Sequence, residues 1–127
     1  MDVYHFGGKV KCDSFDELKH VLQIKYENNS NEFELYAEDK YPFLTLLVKD
    51  RLACIHVFQS DEDCGHYAYC IDDKLAPEGI TLFNMGSPTA ETEISNKMVI
   101  PLSVAIEVVR DFFEKLEMSS SVEWFEL

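Results

Sequence analysis

Potential metal ligands and acid–base groups crowd most densely at Asp61-Glu62-Asp63-Cys64-Gly65-His66, where carboxylates, a thiol and an imidazole follow one another directly. Hard cations take oxygen donors, and Cys with His can hold zinc. The spacing fits neither pattern. A calcium loop alternates Asp or Asn ahead of a Gly and ends on a distant Glu, whereas here a single Cys and a single His adjoin a run of acids. No metal site is expected.

A thiol nucleophile is the next option, with His66 beside Cys64 or His56 beside Cys54 as the activating base. Residues two apart on a strand share a face, and the apolar surroundings of Cys54 make it a core residue. Cys64 is better placed for access, but the three neighbouring carboxylates raise a thiol's pKa and suppress the thiolate. Carboxylate pairs that do acid and base work face each other across a cleft, whereas Asp61 to Asp63 and Asp72-Asp73 read as loop tips. No G-x-S-x-G elbow, P-loop or dinucleotide fingerprint occurs, and Gly7-Gly8 alone is not one. The sequence nominates no catalytic residue and no cofactor.

What remains is a recognition surface. Glu38-Asp39-Lys40-Tyr41, Asp61-Glu62-Asp63, Asp72-Asp73 and Glu91-Thr92-Glu93 combine carboxylates with the nearby tyrosines Tyr36, Tyr41, Tyr67 and Tyr69. Aromatics beside charged groups are the composition of protein-interface anchors. The partner-binding set read from this pattern is Glu38, Asp39, Asp61, Glu62, Asp63, Tyr67, Tyr69, Asp72, Asp73, Glu91 and Glu93.

These loops need elements to carry them. Ser14-Phe15-Asp16-Glu17 has the form of a capping box, and Phe15, Leu18, Val21 and Leu22 recur at helical spacing until Asn28-Asn29-Ser30-Asn31 interrupts them. From Phe33 the period becomes two, which predicts strands over 33–37, 43–49, 52–59, 66–71 and 80–84, with Asp50-Arg51 at a tight hairpin turn. Their short connections predict antiparallel pairing. Residues 86–96 read as a loop, with Ile94 and 98–100 leading into a short edge strand. Pro101 sits where helices begin, and Leu102, Ala105, Ile106, Val109, Phe112, Phe113 and Leu116 form an apolar stripe over four turns. The alternation of Val122-Glu123-Trp124-Phe125-Glu126-Leu127 predicts a terminal strand. The expected fold is α+β: a mostly antiparallel five- to six-stranded sheet with an N-terminal helix and a long C-terminal helix packed on one face.

The composition agrees with a single domain over residues 1–127, because 46% hydrophobic and 13% aromatic residues suffice for one core. The net charge is −13, with six basic and nine acidic residues before Asp50 and five and fifteen from there on. Such a surface repels phosphate backbones and anionic lipid and attracts basic proteins, so neither nucleic acid nor membrane is an expected partner. The opening Met1 to Gly8 lacks a basic start followed by an apolar run, and no long apolar span follows, which predicts a cytoplasmic protein. Cys12, Cys54, Cys64 and Cys70 form no Cys-x-x-Cys pair and are expected as free thiols.

Taken together, the Ser14-Phe15-Asp16-Glu17-Leu18 helix start, the hairpin from Pro42-Phe43-Leu44 to Ile55-His56-Val57, the helix from Ile100-Pro101-Leu102 to Phe112-Phe113, and the closing Trp124-x-Glu126 strand resemble the type-one immunity-protein family of bacterial polymorphic toxin systems. The chain is especially similar to antidotes of double-stranded-DNA cytidine deaminase toxins, from about Ser14 to Leu127. The resemblance implies a non-enzymatic cytoplasmic protein that binds the C-terminal domain of a secreted effector and blocks its active site. That basic toxin domain would be a deaminase, RNase or DNase delivered by contact-dependent inhibition or a type VI system. The sequence departs from the family in its acidic, Tyr- and Cys-containing middle, Asp61 to Glu93, where such families vary the loops that choose partners. Trp124 is expected to pack the last strand beneath the helix. Two rival readings are a small adaptor subunit and a thiol-dependent enzyme using Cys64 and His66.

Overall fold

The computed structural model describes residues 1–69 and 75–127 and gives an α+β fold built on antiparallel strands. It opens with a hairpin, β1 (Asp2–His5) and β2 (Gly8–Lys11), which the sequence analysis left unassigned. Val3 and Val10 are register partners on the core side, and Gly8 turns the chain at φ +128°. That positive φ is open to glycine and strained for other residues.

Helix α1 (Phe15–Leu22) starts where expected, with the Glu17 N–H donating to Ser14 Oγ at 3.2 Å. The Glu17 carboxylate reaches back one residue beyond the cap and accepts from the Asp13 N–H at 3.4 Å. After a 3-10 turn at Glu27–Asn29 come β3 (Ser30–Tyr36), β4 (Phe43–Lys49) and β5 (Leu52–Phe58). The β4–β5 turn lies at Asp50-Arg51, where Asp50 adopts φ +54° as a short polar side chain tolerates. Next are β6 (His66–Tyr69), β7 (Ile80–Asn84), β8 (Glu91–Ser95) and β9 (Val99–Pro101), and then α2 (Leu102–Lys115) and β10 (Glu123–Glu126).

The main sheet runs β10-β6-β5-β4-β3-β1-β2, with β9 also paired to β5, so it has eight strands among the described residues against the five or six expected. The N-terminal hairpin supplies two strands that were not expected, β9 is the short strand expected at 98–100, and β7, expected in this sheet, lies outside it. A second correction concerns residues 86–96, read as a loop. Glu91 to Ser95 pairs along its length with Ile80 to Asn84 as a separate two-stranded ribbon. Its polar, threonine-containing alternation gave too weak an apolar signal to mark a strand. Leu116 is the third: instead of completing the helical stripe it takes φ +55° as the left-handed cap and is exposed.

Both helices pack on one face. Leu18, Val21 and Leu22 of α1 and Ala105, Val108, Val109 and Phe112 of α2 share a core with Phe33, Leu35, Leu44, Leu46, Val48, Ala53, Ile55 and Val57. Trp124 packs against this core, and its indole Nε1–H donates to Ser119 O at 2.8 Å, tying β10 to the end of α2. Among the described residues, no helix is long and apolar enough to cross a membrane.

Candidate recognition face

Strand alternation sends the other half of each strand to the face away from the helices. The β7–β8 ribbon covers part of it, burying Phe83 against Leu47, Cys54 and Val99. Much of the rest is aromatic. Tyr4 meets Tyr36 edge-on at 5.6 Å between ring centroids, Tyr36 stacks on Phe43 at 5.1 Å, and Phe43 stacks on Phe58 at 4.6 Å. Register explains the last contact, because Tyr36, Phe43 and Phe58 are opposite one another on β3, β4 and β5. Beyond Phe58, Tyr67 stacks on Phe125 at 5.7 Å, and Tyr69 meets Phe125 edge-on at 5.3 Å. Gly65 permits the junction: a Cβ there would lie 2.6 Å from the Phe58 ring. Tyr4 and Phe125, at the two ends, are 41% and 44% exposed, so solvent reaches both ends of the face.

Carboxylates line the β1–β3 side. The Tyr36 hydroxyl donates to Glu34, and burial first, then this bond and the Glu34 charge, push the phenol's pKa up. Burial, reinforced by the charge of Glu34, also pushes the Glu32 carboxyl above its usual range, although a backbone hydrogen bond at Gly86 opposes the rise. Asp2, Tyr4, Glu34, Tyr36, Glu38 and Lys40 contribute to the wall of a recess of about 390 Å³. A smaller recess of about 200 Å³ adjoins it at Tyr4 and Glu34 and is closed by the ribbon turn at Gly86, Ser87 and Pro88.

The sequence-derived residues divide around this face. Glu38 and Asp39, on the β3–β4 loop, and Asp61 and Glu62, on the β5–β6 loop, are exposed. Both loops leave the same end of the sheet, since Phe43 and Phe58 are register partners. Tyr67 and Tyr69 lie on the aromatic face itself. Glu91 and Glu93 are exposed on β8, in the separate ribbon. Asp72 and Asp73 lie outside the described residues. Asp63 differs from its neighbours: its Oδ2 accepts from the Gln59 N–H and its Oδ1 from the Gly65 N–H, each at 2.8 Å. These two bonds hold its carboxyl below the usual range, and they make Asp63 a brace for its own loop.

The thiol candidates are equally specific in their surroundings. His66 sets Nδ1 at 3.4 Å from Asp63 and Nε2 at 3.6 Å from Glu126, so both ring nitrogens face carboxylates while Cys64 is exposed. Cys54 Sγ is 3.8 Å from His56 Nδ1, but burial pushes the thiol up to about 12 and lowers the His56 pKa. Both are neutral near pH 7, the state of a packed pair rather than of a thiolate and its imidazolium. Among the described residues, no three His, Cys, Asp or Glu side chains group closely enough to hold a metal ion.

No protein-family model matches the chain, and no curated protein matches its sequence.

The sequence analysis missed Tyr4, Glu32, Glu34, Phe43, Phe58 and Phe125. Their signal was present as parity: each occupies the strand phase opposite the one that supplies the helix-side core, as Phe33 and Leu35 do on β3 and Trp124 does on β10. A solvated sheet face normally carries polar residues in that phase.

Proposed function

We propose that this protein is an immunity protein that binds a basic bacterial toxin domain acting on nucleic acid and blocks it by stoichiometric occlusion. One observation carries the reading. Glu38, Asp39, Asp61 and Glu62 are exposed at one end of neighbouring strands, with no cation within ion-pair distance among the described residues, beside a half-buried aromatic face whose ends at Tyr4 and Phe125 are exposed. Exposed, unpaired acids of this kind speed encounter with a basic surface, and aromatics supply contact area at low entropic cost. A toxin that grips phosphate must present Lys and Arg, and an antidote that covers them removes its substrate grip. Lasting protection requires nanomolar binding or tighter, about −12 kcal/mol. The α+β fold, with Trp124 packed against the helix-side core, supports this reading.

The test is capture from the native organism at moderate salt with the tagged protein, followed by mass spectrometry and nuclease and deaminase assays of any partner at equal stoichiometry. The reading expects a basic domain active on DNA or RNA once freed. Recovery of nothing basic, or of a basic protein without such activity, overturns it.

A further inference from the structure

We infer that the open aromatic face of the sheet is the docking surface and that it receives an arginine-bearing surface of a basic protein, with the acidic loops forming its rim. The identity of the partner as a toxin rests on the proposed function; the location of the surface and its preference for guanidinium do not.

Three observations support the assignment. Helices α1 and α2 cover one face of the sheet and the ribbon covers part of the other, leaving the row Tyr4, Tyr36, Phe43 and Phe58 as a continuous aromatic strip. Aromatics in the non-core phase of adjacent strands cost solubility unless something covers them. Second, the carboxylates of Glu32 and Glu34 border the strip, and neither has a cation within ion-pair distance among the described residues. Third, cations already settle on the strip and beside it: Lys9 Nζ lies 5.8 Å from the Tyr4 centroid, and Lys40 Nζ lies 5.8 Å from that of Tyr41, a loop residue whose ring is 5.4 Å from that of Phe43.

Charge selects among occupants. A second copy of this chain would bring another −13 against this one and set like carboxylates face to face. A basic surface relieves that repulsion. Arginine suits the strip better than lysine, because its planar, weakly hydrated guanidinium stacks on a ring while its N–H fork pairs with a carboxylate. An arriving guanidinium would also favour the charged form of Glu32, whose burial opposes it.

The test is an NMR titration of the full-length, isotopically labelled protein with oligoarginine and oligolysine peptides of equal length, at low and at moderate salt. The expected result is saturable shifts at Tyr4, Glu34, Tyr36, Phe43 and Phe58, with oligoarginine binding tighter than oligolysine. Tyr4→Leu and Glu34→Gln should each weaken oligoarginine by about threefold to tenfold. Tyr4 is 41% exposed, so its replacement leaves the core intact, and Phe125→Leu provides a second face variant at an exposed position. Shifts confined to the 37–42 and 59–65 loops, or equal responses to both peptides and all variants, overturn the docking face. Face shifts that follow protein concentration without peptide identify a second copy as the occupant and overturn it too. Each of these results leaves the antidote reading to the capture experiment, which can fail independently.

Discussion

Asn31 is a polar residue at 0% exposure, and its replacement tests how the recognition face is held in place. Its Nδ2–H donates to Ile24 O at 2.8 Å, while Oδ1 accepts from the Glu32 N–H at 2.8 Å and the Phe6 N–H at 3.2 Å. One amide thus fastens the exit of α1 and the N-terminal hairpin to β3, and with them Tyr4 to Tyr36. Asn31→Ala removes all three bonds and strands partners that water reaches only in part. At about 1 kcal/mol for each bond, with a further penalty for an orphaned group, the loss should be about 2–4 kcal/mol. That is a large share of the roughly 5–15 kcal/mol typical of a domain. With a urea slope of about 2 kcal/mol/M, the unfolding midpoint should fall by about 1–2 M. Asn31→Asp keeps an oxygen to accept from both N–H groups but loses the donor and places a carboxylate in the core. Burial raises that group's folded pKa, so the variant should lose stability as pH rises above about 4, where the unfolded chain ionises. Urea denaturation followed by circular dichroism measures both effects. A midpoint shift in Asn31→Ala below a few tenths molar would refute the reasoning.

Other perturbations separate bracing from contact. Asp63 has its pKa lowered by the Gln59 and Gly65 N–H groups, so its contribution to stability is complete above the unfolded value and is lost as pH falls through the folded one. Carboxyl-carbon NMR should find it titrating below the exposed aspartates; equal titration contradicts the brace. Gly65→Ala forces a Cβ to 2.6 Å from the Phe58 ring at a backbone φ of +103°, and thermal unfolding should report a loss of about 1–3 kcal/mol. An unchanged melting temperature would mean that Phe58 can move aside freely. Alkylation at mildly alkaline pH, mapped by peptide mass, should modify exposed Cys64 first and buried Cys12 and Cys54 only after denaturation. Comparable labelling of native Cys54 and Cys64 contradicts the burial of the Cys54–His56 pair.

Much of the scaffold was legible in the sequence because its signals were local. The Ser14–Glu17 box starts α1, β4 occupies Phe43 to Lys49 as expected, and the periodic run after Pro101 forms α2. Trp124, at an alternating position, packs on the core as a large aromatic should. The N-terminal hairpin was missed because its short strands bury only Val3 fully and depend on β3 for the rest of their pairing. The recognition face was harder still. The acidic loops are contiguous in sequence and could be seen as runs, whereas Tyr4, Tyr36, Phe43, Phe58 and Phe125 meet only through strand register. Asp63 shows the converse limit: composition grouped it with Asp61 and Glu62, and backbone geometry separates it from them.

The central claim is occlusion of a basic, nucleic-acid-modifying domain. The most direct test is to titrate the activity of the captured domain on DNA or RNA with this protein. The account predicts a linear fall to zero activity at one molar equivalent, with the midpoint moved to higher protein concentration when Glu38, Asp39, Asp61 and Glu62 are all reversed to Lys. Full activity in the presence of excess protein would contradict it.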